Sequence, residues 1–328
     1  MGKLSLLLLG VLSMFFAEVL SGASTLWFLN PWGLLVTMPL YLGHAAFLFN
    51  VAVRTNRTSL RHLYFFGMMF GLYEALITKV LWYGYPDSTG PMVGHILGVA
   101  WGEFTTLVLF WHPVMSFILP VLAYEVLSGD IADGHERFLQ KSRRNLVGVL
   151  VLIIVGAVFQ SNGAKFDVFV SLGSIIGTVL IISLLNRLSR GKSLQSLMLG
   201  KRGMAVLILF LTILYGTTTV FILPERLPGT WLPYAAILLW YLVSIGLLTI
   251  DRPQALRTLV GQALFSIRDL EIFVIMLFCA TALFSLAPSV SYVILLVFFI
   301  SLIGAGAILF IGCVFSLSRT LRSGPARA

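Results

Sequence analysis

The sequence predicts an all-α polytopic transmembrane helical bundle of about ten spans with both termini cytoplasmic. Three observations carry that prediction. The chain is 59% hydrophobic and 11% charged, with mean hydropathy +0.98; a soluble domain carries about 25% charged residues. Apolar runs near the length needed to cross a bilayer recur from end to end. They read as helices because a backbone in lipid must satisfy its hydrogen bonds within the segment, and the weak alternating segments of a membrane β-barrel are absent. Third, the basic residues segregate. With ten spans and a cytoplasmic N-terminus, nineteen Lys and Arg fall on the cytoplasmic side, two (Lys165 and Arg226) fall outside, and Lys79 lies within a span. The net charge of +9 is therefore a topology signal and calls for no nucleic-acid partner.

Taken in order, the first span covers residues 4–21, after Lys3. Ser21-Gly22-Ala23 resembles a signal-peptide cleavage site, but Glu18 fits a signal-peptide apolar region poorly and the run is long enough to span, so the helix is expected to be retained. The second, 33–53, follows a loop rich in Trp, Asn and Pro and ends before Arg54, Arg57 and Arg61. The third is 62–83 and the fourth 98–126, which is long and contains Pro113 and Pro120; a kink or a short surface helix is expected there. The remaining spans are 145–160 (a short one), 166–186, 203–223, 232–250, 270–287 and 291–317. The charged stretch 128–144 divides a four-helix N-terminal part (1–127) from a six-helix C-terminal part (145–328). Cys279 and Cys313 lie inside apolar runs and read as small core residues.

Ionisable residues deep in a membrane cost about 2.5–3.5 kcal/mol each on insertion scales and are retained where they pair, face a cavity or act. Here they concentrate. Glu18, His44, Glu74, Lys79, Glu103, His112 and Glu125 all fall in the first four spans, whereas the six later spans hold ionisable side chains only near their ends, such as Asp167, Arg187 and Glu271. The C-terminal part thus reads as an apolar scaffold. At about 1.5 Å per residue, Glu18 and Glu103 sit toward the outer face, and Glu74, His44 and His112 near mid-depth. These groups are expected to share one polar cavity opening outward, with Glu74, His112 and His44 catalytic and Glu18, Glu103, Lys79, Trp27, Asn30 and Trp101 binding substrate. Trp27, Trp32, Trp82, Tyr83, Tyr85 and Trp101 also form a natural interfacial aromatic belt.

No Walker loop, Rossmann glycine fingerprint, H-E-x-x-H or G-x-S-x-G motif occurs, so nucleotide-driven chemistry is excluded, and no ligand spacing calls for a metal or another cofactor. The expected partners are membrane lipids and a lipid-linked or membrane-anchored substrate in the cell membrane. The leading expectation is a membrane-embedded enzyme; a transporter or channel using the same residues, and a scaffold or assembly subunit, are the alternatives.

Glu18-Val19-Leu20-Ser21-Gly22-Ala23-Ser24, then Trp27-Phe28-Leu29-Asn30-Pro31, resembles a pattern in uncharacterised archaeal and bacterial multi-pass proteins. The likeness extends through Gly71-Leu72-Tyr73-Glu74 and Trp111-His112-Pro113 and covers about the first 126 residues. It implies a site without naming its chemistry. Glu74 with Lys79, and His112 on a later helix, also resemble elements of the CPBP intramembrane proteases. That pattern has a Glu pair, a basic residue one place nearer and a Phe-x-x-x-His, none of which is present.

Overall fold

The computed structural model describes residues 2–85, 94–189, 191–254, 256–259 and 265–322. Ten long helices follow one another: α1 (Gly2–Val19), α2 (Gly33–Arg54), α3 (Leu60–Thr78), α4 (Trp101–Ser128), α5 (Arg143–Gly163), α6 (Val168–Leu188), α7 (Lys201–Phe221), α8 (Leu232–Ile250), α9 (Ile267–Leu286) and α10 (Pro288–Arg322). Among the described residues nine of these are long and apolar enough to cross a membrane; α3, at 19 residues, is diluted by Arg61, His62 and Glu74. The short fifth span is in fact 21 residues long. Besides helices, the described residues include two small antiparallel pairings, His95↔Ala100 with Ile96↔Val99, and Ile131↔Leu259 with Ala132↔Thr258.

The connections sort cleanly to two ends, as ten alternating passes require. At one end Arg61 grips Asp251 through both carboxylate oxygens (2.5 and 2.6 Å), and Lys141 meets Asp269 at 2.8 Å. The Asp130 carboxylate there accepts the Leu194 amide at 2.7 Å, and Arg54 donates to the Leu199 carbonyl. At the other end Arg226 donates to the Gly84 carbonyl (3.2 Å) and Asn162 to Ser291 Oγ (3.0 Å). The loops carrying most of the basic residues thus share one face; Arg190 and Arg327 lie outside the described residues.

Burial is uneven. In α4, 72% of the most apolar window is buried, against 11% in α10. The first helices form the middle of the bundle, with α3 packed along α4 and α1 along α2, and later helices lean on them: α6 on α1, α8 on α3, α10 on α4. Cys279 is a correction to the sequence reading, since it lies exposed on α9 rather than in the core; both cysteines are free.

The early helices are not regular. Three stretches have the wider π-helical turn: Phe15–Val19 in α1, Gly33–Thr37 in α2 and Leu107–Ile118 in α4. The last contains Pro113, whose ring nitrogen has no hydrogen to donate. The sequence predicts a kink or a surface helix there; the chain instead widens the helix and continues, another way of absorbing the lost bond.

Candidate functional site

The α3–α4 contact comes first, because it places the central pair. Gly67 and Gly71 lie one turn apart on α3, and the missing side chains let the backbones approach. A Cβ at Gly67 would come 2.4 Å from Pro113 Cα, and one at Gly71 3.1 Å from His112 Cβ. Glu74, three residues further on, therefore faces the π-helical part of α4, where its Oε2 meets His112 Nε2 at 3.0 Å. His112 is buried, and the Glu74 side chain retains 17% exposure.

From His112 the polar contacts continue. Its Nδ1 lies 3.0 Å from Ser116 Oγ, one turn along α4. A hydroxyl donating to Nδ1 leaves Nε2–H to face the carboxylate, the tautomer this network selects. The Ser116 carbonyl is held by Ser13 Oγ of α1 at 2.5 Å. Ser116 also lies near the buried Tyr41 of α2. The Tyr41 hydroxyl donates to Glu18 Oε1 at 2.5 Å, and Ser24 Oγ donates to Glu18 Oε2 at 2.5 Å. Glu74, His112 and Ser116 thus form one hydrogen-bonded group and Tyr41, Glu18 and Ser24 another, and the two lie near each other as an interrupted polar chain across α3, α4, α2 and α1. Glu18 and Glu74 at its two ends are close enough to interact electrostatically.

The geometry explains the unusual sequence after Glu18. The Leu20 amide reaches back to the Phe15 carbonyl, closing the wide turn, and the Ala17 carbonyl accepts from Trp111 Nε1 at 3.0 Å. Gly22, at φ 73°, then reverses the chain in a conformation open to glycine, pressed against Gly163. That reversal brings Ser24 back over the carboxylate. A carboxylate in an apolar run is tolerable because two hydroxyls are folded onto it.

The other expected residues divide. Glu103, read from sequence as interfacial, is buried, and Tyr85 interacts with both Glu103 and Glu74. This joins Glu103 to the same region. His44 is near but separate: Nδ1 donates to the Leu40 carbonyl at 2.8 Å and its ring stacks on Phe70 (4.5 Å, 9°), which in turn lies 5.2 Å from the His112 ring. His44 and Tyr73 line a largely apolar cavity of about 590 Å³ between α2, α3, α7 and α8. Lys79 does not join the carboxylates. It ends α3 at φ 58° and donates to the carbonyls of Thr219 (2.7 Å) and Ile222 at the end of α7. Trp27 is buried with Nε1 on Thr178 Oγ1 (2.9 Å), Asn30 Oδ1 accepts the Trp32 amide (2.9 Å), and Trp101 Nε1 donates to the Ile96 carbonyl (3.2 Å). Of the aromatic belt, Trp32, Tyr83 and Tyr85 are exposed while Trp27 and Trp82 are core residues. The loop residues 86–93 lie outside the described residues.

Tyr41, Ser116, Ser24 and Ser13 went unread in the sequence, because a hydroxyl in a span is commonplace. The legible signal was Gly67-x-x-x-Gly71-x-x-Glu74, a close-approach face with a carboxylate on it.

A family model described as an uncharacterized membrane protein family matches residues 7–323. The chain belongs to that family. Every member of the polar chain lies within the matched residues. A relative from Archaeoglobus fulgidus, named an uncharacterized protein, is 36% identical over 170 residues. That alignment takes in 50% of this chain and 52% of the relative, so the chain spans about half the length of the curated relative it matches. No solved structure matches. The resemblance to uncharacterised archaeal multi-pass proteins is therefore a family membership that extends well beyond the first 126 residues.

Proposed function

We propose that the protein is a membrane-embedded enzyme that hydrolyses, or transfers a group on, a lipid-linked or membrane-anchored substrate. The observation that carries this reading is the Glu74–His112 pair, 3.0 Å apart, buried on one side and partly open on the other. In this reading Glu74 takes a proton from water or a substrate hydroxyl, and His112 holds the carboxylate in position and passes charge toward Ser116. Ser116, Tyr41 and Glu18 conduct the proton onward, and Glu103 orients substrate. Trp101, Trp27 and Asn30 shape the mouth of the site and the loop beside it. The apolar cavity bounded by His44, Phe70 and Tyr73 would seat a hydrocarbon tail next to the reacting group. The basic end of the bundle, and both termini with it, faces the cytoplasm of a cell membrane, and the site opens outward.

A second reading rests on the same chain seen end to end. Carboxylate, phenol, hydroxyl, imidazole and carboxylate in series make a path for protons, which suits a proton-coupled transporter.

The test uses purified protein in vesicles of mixed membrane lipids, with mass spectrometry of the lipids and an internal pH dye read in parallel. The enzyme reading expects one lipid class to be consumed by the wild type and spared by Glu74→Gln. Proton flux abolished by Glu74→Gln with lipids untouched selects the transporter. A variant that folds and differs from wild type in neither readout overturns both.

A further inference from the structure

A second cavity, of about 290 Å³, lies between α1, α4, α6 and α9 in the half of the bundle nearer the basic end. Its inner wall is apolar: Leu12, Phe15, Phe16, Val179 and Phe273. Leu12 is ten residues along α1 from Gly2, so this wall reaches about 15 Å into the membrane. Its rim is polar, with Asn186 and Arg187 of α6 facing Glu271 of α9. Nothing in the polar chain around Glu74 uses these residues.

The rim is incompletely satisfied. Among the described residues neither Arg187 nor Glu271 takes part in an ion pair, although both line the same opening; their neighbours Lys141 and Asp269 pair with each other. Asn186 Oδ1 is buried and accepts no hydrogen bond. Lys192 lies beside it, its Nζ 3.5 Å from the Asn186 carbonyl and likewise without a carboxylate, and burial holds its ammonium below the usual lysine range. The rim therefore offers the Arg187 guanidinium and the buried Asn186 acceptor on the α6 side, with Lys192 just beyond the helix end, and a carboxylate on the α9 side. Directly beneath lies an apolar slot at bilayer depth. Snorkelling explains an arginine at a span end, but it leaves the Asn186 acceptor unmet.

We propose that this cavity binds one membrane phospholipid with a protonated amine in its head group. Its phosphate lies on Arg187 and Lys192, and its ammonium bridges Glu271 and Asn186 Oδ1. One hydrocarbon chain runs down between Phe15, Phe16, Val179 and Phe273. Basic pockets between spans at the cytoplasmic surface bind phosphate head groups on this principle, and a bidentate guanidinium suits phosphate oxygens. The carboxylate adds selectivity, because it disfavours a head group that is purely anionic. The cavity volume, at the low end for ligand pockets, suits a single chain, with the second chain left in the bilayer.

The test is native mass spectrometry of delipidated wild-type protein titrated separately with phosphatidylethanolamine, phosphatidylglycerol, diacylglycerol and chain-free phosphoethanolamine. The expected result is one retained equivalent of phosphatidylethanolamine, at least tenfold tighter than phosphatidylglycerol, with diacylglycerol and phosphoethanolamine not retained. Arg187→Gln, a change at an exposed rim position, lowers phosphatidylethanolamine retention tenfold or more. Glu271→Gln removes the preference over phosphatidylglycerol. Equal retention of all lipids, or retention unchanged in Arg187→Gln, overturns the proposal. Retention of phosphoethanolamine alone would show a soluble-amine site and overturns the lipid assignment. None of these readouts depends on turnover at Glu74.

Discussion

Glu74 Oε2 lies 3.0 Å from His112 Nε2, and the two residues come from helices brought together by glycines one turn apart. The pairing thus depends on a backbone approach. Substituting the glycines should uncouple the pair while leaving the chemistry of both members unchanged. Gly67→Ala places a methyl 2.4 Å from the Pro113 backbone, where neither side yields easily, whereas Gly71→Ala meets Val108 Cα at 3.0 Å and the His112 side chain at 3.1 Å. Overpacking of this kind costs about 1–3 kcal/mol, and the larger loss is expected for Gly67→Ala. Thermal unfolding in one detergent, compared between the two variants, checks the order.

The Glu18 end makes a separate prediction. Tyr41→Phe removes one of the two short hydrogen bonds to the carboxylate and leaves Ser24 in place. Losing a hydrogen bond to a charged group costs about 1.5–3 kcal/mol. The carboxyl stretching bands in infrared difference spectra should shift in Tyr41→Phe and lose a component in Glu18→Gln. Spectra identical to wild type in Tyr41→Phe would show that this bond is not made.

Much of this was readable before any coordinates. The span ends fall within a few residues of the sequence reading because bilayer thickness sets the length of each apolar run and basic residues mark one side. Depth was readable too, since it follows from position along a helix. Azimuth was not. Whether Lys79 turns toward Glu74 or toward the carbonyls of α7 depends on a left-handed residue ending α3, and no periodicity announces that conformation for a lysine. The π-helical turns carrying Glu18 and His112 were hidden for the same reason: they rotate everything after them, and only Pro113 left a trace in the sequence. Trp27 shows the limit of composition. An interfacial tryptophan and a core tryptophan look alike until Thr178 is found beneath the indole.

Lys79 can be tested as a structural clamp. Lys79→Met removes the ammonium from the carbonyls of Thr219 and Ile222 and keeps the left-handed strain, whereas Lys79→Gly removes both. Relief of that strain is worth about 1–2 kcal/mol, so Lys79→Gly should be the more stable of the two. Both should show faster hydrogen exchange at the end of α7. A Lys79→Met protein with wild-type exchange there would free the lysine for the binding role expected from sequence.

At the basic end, Asp251 ties the end of α8 to the start of α3: it takes two guanidinium bonds from Arg61 and lies 3.2 Å from His62 Nε2, while His62 Nδ1 meets Ser59 Oγ at 2.7 Å. Asp251 is almost wholly buried. Breaking a buried pair by removing one partner costs about 3–5 kcal/mol, so Asp251→Ala should be among the most destabilising changes at this end. Asp251→Asn keeps an acceptor and should lose less. The double variant Arg61→Met with Asp251→Met, which leaves no stranded charge, should recover part of the loss. Unfolding midpoints of the wild type and the three variants check the order; equal losses in Asp251→Ala and the double variant would mean that the ion pair is not what holds the end together.

Orientation has its own test, and it follows from the way loops sort to two ends. Arg54 and Lys165 are both exposed and sit at opposite ends of the bundle. In a background lacking Cys279 and Cys313, Arg54→Cys and Lys165→Cys should label oppositely with a membrane-impermeant maleimide. In intact cells only Lys165→Cys is expected to react, and in inverted vesicles only Arg54→Cys. The reverse pattern would turn the protein over and place the opening near Glu103 on the cytoplasmic side, leaving the polar chain intact but changing which compartment supplies its substrate. Labelling of both positions from one side would break the ten-pass alternation itself, because an odd number of crossings must separate two residues that react from different sides.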